Sequence, residues 1–560
     1  MNEVIIVDAS KCVGCNACVR NCPAPEANIT KELSNQKFVT TVNPDKCITC
    51  GECVRTCEHG ARDYIDDTAA FMATLGQKKS IILATPSIKT VFPRTWKSIL
   101  DWFRRKGCLI YDVSLGADIC TWAHIRAIQQ KKVGNIITQP CAAIVKYIEM
   151  YQPTLLNNLV PIHSPISCAA VYIKKYLNRT EPIAVLTPCI AKKTEFAETG
   201  TADFNVTFKK LSEWFDKNSV SLPTHPESDF VYDFDGGQGQ VGAIYPRPGG
   251  LRDNVWLHDP DINITTSEGV HKVYPELDMY AKMPDYKHPE VFDVLSCEFG
   301  CNVGPASGTK QTVFDVMASM RDIEKASKKR RKQSGLFNKG EDKLFKKFDE
   351  ELRLPDFMRG YKAYPEPMIP TEEQLSFIFE SMGKHTDAQR KYNCHACGYK
   401  SCKEMATSIF RGLNTPENCI VHAKEVLVAR HSSLAVQHER LTDIAIRCRE
   451  LSDELMQNVA SINKSIENIG NVSTISATKA TAVDDLIEQV VAYCNGRSTM
   501  DEESIKQLVE ILNTTKEAFS TLHLNITATK SNSVLIDSSI DKISNLVSDI
   551  NEVLAESDAK

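Results

Sequence analysis

Residues 12–23, CVGCNACVRNCP, and residues 47–57, CITCGECVRTC, repeat one cysteine spacing, C-x2-C-x2-C-x3-C, within the first 60 positions of the chain. A segment this short buries little hydrocarbon, so its fold has to be held by whatever the thiols bind. Zinc sites use isolated C-x2-C pairs and have no need of a third cysteine three residues on. An iron–sulfur cube, by contrast, needs four thiolates converging from different directions, and the doubled run supplies two such sets. The spacing therefore predicts a protein that handles single electrons.

The doubled run resembles the two-cluster bacterial ferredoxins, in which three cysteines of one run and the last cysteine of the other surround each cube. That resemblance implies one [4Fe–4S] cluster on Cys12, Cys15, Cys18 and Cys57 and a second on Cys47, Cys50, Cys53 and Cys22. The 560-residue chain is too long for one core and reads as three to five units. Its 21 cysteines would suggest disulfides in a secreted protein. Met1 instead opens a segment without a basic stretch followed by a sustained apolar run, and no stretch is long and apolar enough to span a membrane. A cytoplasmic protein whose cysteines are ligands is the expectation. A net charge of −5 over this length gives no pull toward nucleic acid, and the basic run SKKRRK (327–332) reads as a solvated helix end.

Four regions follow from the pattern, which predicts a multidomain α/β protein. Residues 1–64 form the ferredoxin-type domain. Over 65–365, apolar strands such as SIILAT, CLIYDV and IAVLTP alternate with helical segments, including TVFPRTWKSILDWFRRKG and CAAIVKYIEMYQPTLLNNL, as in α/β folds. Within it, residues 200–290 read as loop-rich with short strands, and 305–353 as charged helix. A small cysteine domain occupies 366–425. Residues 426–560 contain no proline and read as long helices. There Leu455, Val459, Ile462, Ile466 and Ile469, and Ile536, Ile540, Ile543, Val547, Ile550 and Leu554, step by alternating fours and threes, the seam of a coiled coil. Asn495-Gly496 allows the helices to fold back as a hairpin, and a homodimer through these helices is the favoured alternative.

Between the flanking motifs, TQPCAAIV carries Cys141, TPCIAKKTE carries Cys189, and LSCEFGCNVGP carries Cys297 and Cys301. These resemble, in order, the three signature loops of the [FeFe]-hydrogenases, with support from ATPSIK (84–89), GAD (116–118) and PTLLNNL (153–159). The resemblance spans residues 1 to about 365. It implies an H-cluster: a [4Fe–4S] cube on Cys141, Cys189, Cys297 and Cys301, with Cys301 bridging to a two-iron subcluster that carries carbonyl, cyanide and a dithiolate amine. It also implies that Lys192 donates to one cyanide, that Ser87 serves the other, and that hydrogen is split heterolytically. Catalytic members relay protons through a cysteine just before the first ligand, a serine and two glutamates. Here Pro140, Val160, His124 and Ala127 stand in those places, and three of the four cannot transfer a proton. Glu298, beside Cys297, is either a new proton donor or a helix cap, and Phe299 replaces a usual glycine. Cys120, His124, His163 and Cys168 are further candidates for a rerouted relay, although such residues are more often satisfied parts of a core.

A last motif, YNCHACGYKSCKEMATSIFRGLNTPENC, spaces Cys394, Cys397, Cys402 and Cys419 as C-x2-C-x4-C-x16-C. It resembles the small four-cysteine [4Fe–4S] domain of electron-transfer subunits and corrinoid iron–sulfur proteins, which would bring the cubes to four. Cys108, Cys120, Cys168, Cys448 and Cys494 keep no required role. Three functions are consistent with this ensemble. One is slow, reversible reaction with H2 in a sensory or regulatory role, reported to a signalling partner. The second is a catalytic hydrogenase exchanging electrons with a soluble carrier, and the third an electron-transfer protein lacking the two-iron unit.

Overall fold

The structure, a computed structural model, describes residues 3–33, 37–130, 134–224, 232–308, 311–334, 343–365, 367–468 and 502–526, with a few positions between 485 and 548. The chain divides into two compact units, Met1–His422 and Ala423–Lys560. All three cysteine-bearing regions thus share the first unit.

The ferredoxin-type region pairs β1 (Ile5–Val7) antiparallel with β4 (Arg62–Tyr64), and β2 (Asn28–Leu33) antiparallel with β3 (Lys37–Val42). One short helix follows within each cysteine run, Ala17–Arg20 and Glu52–Thr56. Each is entered through a left-handed residue, Asn16 and Gly51. Such entries turn the chain sharply enough to bring consecutive cysteines toward one centre.

The central region holds two parallel sheets. In the larger the order is β6 (Leu109–Asp112), β5 (Ile81–Ala84), β8 (Ile183–Thr187), β9 (Phe204–Thr207). In the smaller it is β10 (Ile264–Glu268), β11 (Val291–Leu295), β7 (Ile136–Ile137). The runs IILA and IAVLT are buried along their whole length, as strands covered on both faces require. Helix Trp96–Arg105 covers the larger sheet with Trp96, Ile99, Leu100 and Phe103, which fall on one helical face. Helix Val113–Gln129 begins where Asp112 accepts a hydrogen bond from Ser114 N at 2.9 Å. Residues 200–290 are more helical than their composition suggests, with helices Phe208–Lys217, Gly250–Trp256 and Val273–Tyr280.

The glycines of GGQGQVG have a steric role. A Cβ on Gly239 or Gly242 would meet Ser114 O at 2.2 or 2.3 Å, so the segment lies flat on the first turn of helix Val113–Gln129. The Asp118 carboxylate holds it there by accepting from the backbone N–H of Gln240 and of Gly242. Gly116 likewise lets helix Val113–Gln129 touch the backbone of helix Pro165–Lys175 at Pro165 and Ala169.

The four-cysteine region is built on helices Glu372–Ser381 and Cys402–Phe410. Thr371 and Gln374 close a capping box on the first, and Ser401 caps the second. The second unit contains the helical residues that follow His422 and helix Glu502–Ile526, on which Ile505, Leu508, Leu512 and Thr515 form one buried stripe. This agrees with the expected helical tail. The proposed seam side chains at 455–469 and 536–554, and the Asn495-Gly496 break, lie outside the described residues.

Candidate functional site

The loops that carry the central cysteines leave their strands at the same end. Cys141 lies just beyond β7, Cys189 just beyond β8, Cys297 and Cys301 just beyond β11, and Ser87 just beyond β5. All are carboxyl ends of parallel strands, where α/β sheets present ligand-binding crevices. Together they line a cavity of about 90 Å³ that also includes Thr85, Pro140, Ile166, Lys192, Tyr245 and Pro246. The four thiols therefore frame a space wider than one ion, which fits a cube. Among the described residues no three His, Cys, Asp or Glu side chains are arranged to hold a single ion. Burial pushes the Cys189 thiol up to about 11 and Cys301 to about 12, so both are protonated until a metal displaces the proton.

Lys192 is buried at the rim of these cysteines, where burial alone favours its neutral form. Glu195 reverses that by pairing with its ammonium and raising its pKa, and Lys192 in turn lowers that of Glu195. Nζ also donates to Pro140 O at 3.3 Å and to Ser164 Oγ at 3.0 Å. Glu195 accepts from the hydroxyls of Ser164 and Ser167. A fixed cation thus faces a mostly apolar cavity. The motif TPCIAKKTE contains this partner three residues beyond the lysine, one helical turn away, but Ser164 is separated in sequence and only the fold brings it in. Ser87 is buried, its hydroxyl 2.9 Å from that of Thr85, which donates to Leu186 O at 2.8 Å.

Glu298 does not join this group. It is exposed near Gly269 and lines no part of the cavity, and it adds a little to the rise of the Arg55 guanidinium pKa that Glu52 chiefly causes. It caps no helix either, since the turn Cys301–Val303 is entered through Gly300. Phe299 is 43 % exposed at a φ of 61°, a left-handed conformation that glycine adopts without cost and phenylalanine does not.

Pro140 lines the cavity itself. Ala127 and Val160 are fully buried in one apolar cluster with Ile119, Ile125 and Ile136, so hydrocarbon fills the space around those two positions. Beside them lies a polar pocket that composition alone does not reveal. Cys120 Sγ is 3.6 Å from His124 Nδ1, and Cys120 and Cys168 both donate to His163 O, at 3.5 and 3.2 Å. Burial opposes a Cys120 thiolate, but Cys168 and His124 lower its pKa, and Cys120 holds that of His124 up. Tyr245, on the cavity wall, reaches the same pocket with its hydroxyl 2.6 Å from that of Thr121.

Several of the outer cysteines lie close enough to act on one another. Burial raises the Cys50 thiol, with Cys22, Cys53 and Cys47 adding to the rise. Cys18 is pushed to about 11 by burial, against the pull of Arg62, with Cys12 and Cys15 among its near charges. Arg62 donates to Cys18 Sγ at 3.1 Å. Cys50 also packs with Cys141 and Cys189, and Cys22 and Cys47 share an apolar cluster with Cys141. A Cβ on Gly51 would meet Ile190 and Pro305, so the ferredoxin-type backbone lies directly on the loops of the central cavity. Cys394, Cys397, Cys402 and Cys419 line a separate pocket with His395 and Tyr399.

Comparison with known proteins matches these three regions separately. Residues 78–305 match the family described as iron only hydrogenase large subunit, C-terminal domain. Residues 4–58 match the 4Fe-4S dicluster domain, and residues 391–421 an Fe-S cluster family. Among solved structures, an apo form of [FeFe]-hydrogenase HydA1 from Chlamydomonas reinhardtii is 13% identical, with a TM-score of 0.40, and the match covers 54% of this chain and 100% of that one. The HydA(deltaEFG) structure, from work on stepwise H-cluster assembly, is 13% identical with a TM-score of 0.38, covering 53% and 99%.

Proposed function

Residues 78–305 make this chain a member of the iron-only hydrogenase family, and on that premise we propose that it reacts slowly and reversibly with H2 at an H-cluster, in a sensory or regulatory role. The observation that carries the reading is one cavity bearing four cysteines and a charge-locked Lys192 but no acid–base side chain where Pro140, Ala127 and Val160 stand. When bound, the iron–sulfur cube and the two-iron unit supply electron storage and the hydrogen-reactive metal. The chain supplies the rest. Cys141, Cys189, Cys297 and Cys301 would hold the cube, Lys192 Nζ and Ser87 Oγ would turn to anionic ligands the hydrogens they now give to Pro140 O and Thr85 Oγ1, and the wall beside them is mostly apolar. Missing general acid–base groups slow proton transfer, which suits a site that registers hydrogen better than one that turns it over.

The Cys120–His124 pocket beside Tyr245 favours the second reading, a catalytic hydrogenase with another proton route and a soluble electron carrier. The remaining assignments belong to the same proposal: cubes on Cys12, Cys15, Cys18 and Cys57, on Cys47, Cys50, Cys53 and Cys22, and on Cys394, Cys397, Cys402 and Cys419, a cytoplasmic setting, and a homodimer through the helical tail. Infrared spectroscopy of matured protein tests the central claim through carbonyl and cyanide bands. Iron should approach roughly 18 per chain, four cubes and one pair. Absent bands with iron near the value for cubes alone would leave only the electron-transfer reading.

A further inference from the structure

The four-cysteine region is attached to the ferredoxin-type domain by contacts that run from ligand neighbour to ligand neighbour. Asn16, between Cys15 and Cys18, donates its side-chain amide to Asn418 Oδ1 at 2.8 Å, and Asn418 immediately precedes Cys419. Both amides are buried, so separating the two regions would strand polar groups that nothing else there satisfies as well. Gly398, between Cys397 and Cys402, lies so close to Val19 that a Cβ would come within 2.7 Å of the valine Cβ. Cys18 packs directly against the apolar cluster that contains Val19, Cys397, Cys402 and Cys419. Thr30 N donates to Leu413 O at 2.9 Å, and Arg411 pairs with Glu26 at a site where both side chains are only 17% exposed.

We infer that the four-cysteine region is a built-in electron partner of the ferredoxin-type domain, held against the Cys18 side of its cysteine set by the Asn16–Asn418, Glu26–Arg411 and Gly398–Val19 contacts. The inference rests on the reading of both sets as [4Fe–4S] sites. Protein electron carriers ordinarily meet through small, transient interfaces, and domains joined by a linker move relative to one another unless the contact is large and apolar. Here a desolvated amide pair, a mostly buried ion pair and a backbone hydrogen bond surround the apolar contact, so the two sets keep one separation. The exchange they support is a single electron, lost by one cysteine-bound centre and gained by the other, with no bond broken and no proton required. Glu26, Arg411, Asn16 and Asn418 are positioning residues in this arrangement.

The test uses the full chain reconstituted with iron and sulfide, reduced with dithionite and measured by electron paramagnetic resonance alongside its iron content. The two cubes of the ferredoxin-type domain broaden each other in any case, so the expected spectrum shows a further spin–spin interaction beyond theirs, which Cys402→Ala removes together with the iron of one cube. Glu26→Arg should lose that further interaction at unchanged iron content, and Glu26→Arg/Arg411→Glu should regain it, a rescue that a merely misfolded variant would not show. A wild-type spectrum equal to that of Cys402→Ala plus one isolated cube, at full iron content, would overturn the inference and leave the cluster assignments standing. Equal iron in wild type and Cys402→Ala would overturn it together with the cluster assignment of the four-cysteine set.

Discussion

Lys192 and Glu195 show how much one buried pair controls. Each carries a charge that burial would suppress if its partner were missing, and Ser164 and Ser167 satisfy the carboxylate oxygens that remain. Lys192→Met therefore leaves an uncompensated carboxylate in the core and should destabilise the cluster-free protein by about 3–5 kcal/mol in chemical denaturation. Lys192→Met/Glu195→Leu should recover most of that loss. The cysteines make a second prediction at this scale. Cys18 and Cys189 rise from an ordinary 9.0 to about 11 because burial disfavours their thiolates. With folded values above unfolded ones, their contribution is complete below pH 9 and disappears as pH rises from 9 through about 11. Melting temperatures of reduced, cluster-free protein should fall across that window, and a flat profile would show that these thiols are not buried in the cluster-free state.

At the scale of elements, what brings the cavity together is the common polarity of two parallel sheets, and what seats the wall of Tyr245 and Pro246 is the glycine-rich segment that precedes them. Gly242→Ala puts a methyl group against Ser114 O, in backbone that cannot turn aside, and moves the segment that carries Tyr245. A loss of about 1–3 kcal/mol is expected, as for other overpacked sites. Gly360→Ala, with open space around it, should change stability little and serves as the control. Equal melting temperatures for the two variants would mean that the segment is not seated on helix Val113–Gln129. Among the described residues, no helix is long and apolar enough to cross a membrane.

For the whole molecule, the three cysteine regions share one compact unit while the residues after His422 form another. Deleting residues 426–560 removes no proposed ligand, so cluster spectra and hydrogen reactivity should persist while self-association is lost. Size-exclusion chromatography with light scattering reads this directly, and a truncated protein that stays dimeric would assign dimerisation to the first unit. Hydrogen turnover of the intact protein should be roughly 10²–10⁴-fold below that of relatives with the complete relay. Pro140→Cys should restore little of it, because Ala127 and Val160 still stand in hydrocarbon. High turnover in the unmodified protein, abolished by Cys120→Ala, would instead move the proton route to the Cys120–His124 pocket.

Local chemistry wrote much of this into the chain itself. Cysteine spacing points to iron–sulfur chemistry because a cube demands several thiolates at short intervals, and the strands IILA and IAVLT are legible because a buried parallel strand has to be apolar throughout. Lys192 stands out in the sequence only through the resemblance of TPCIAKKTE to a hydrogenase loop, and its partner Glu195 lies one helical turn on. Tertiary structure decided everything that depends on residues distant in sequence. Glu298 stands beside a ligand in the chain yet is exposed and lines no part of the cavity, which no spacing in the sequence announces. Ser164, Tyr245 and the Cys120–His124–Cys168 pocket carry no motif, since single polar residues acquire meaning only from what packs around them. The contact of Asn16 with Asn418 spans 402 positions. No period or spacing encodes such a pair, because its energy comes from water excluded between surfaces that exist only after both regions have folded.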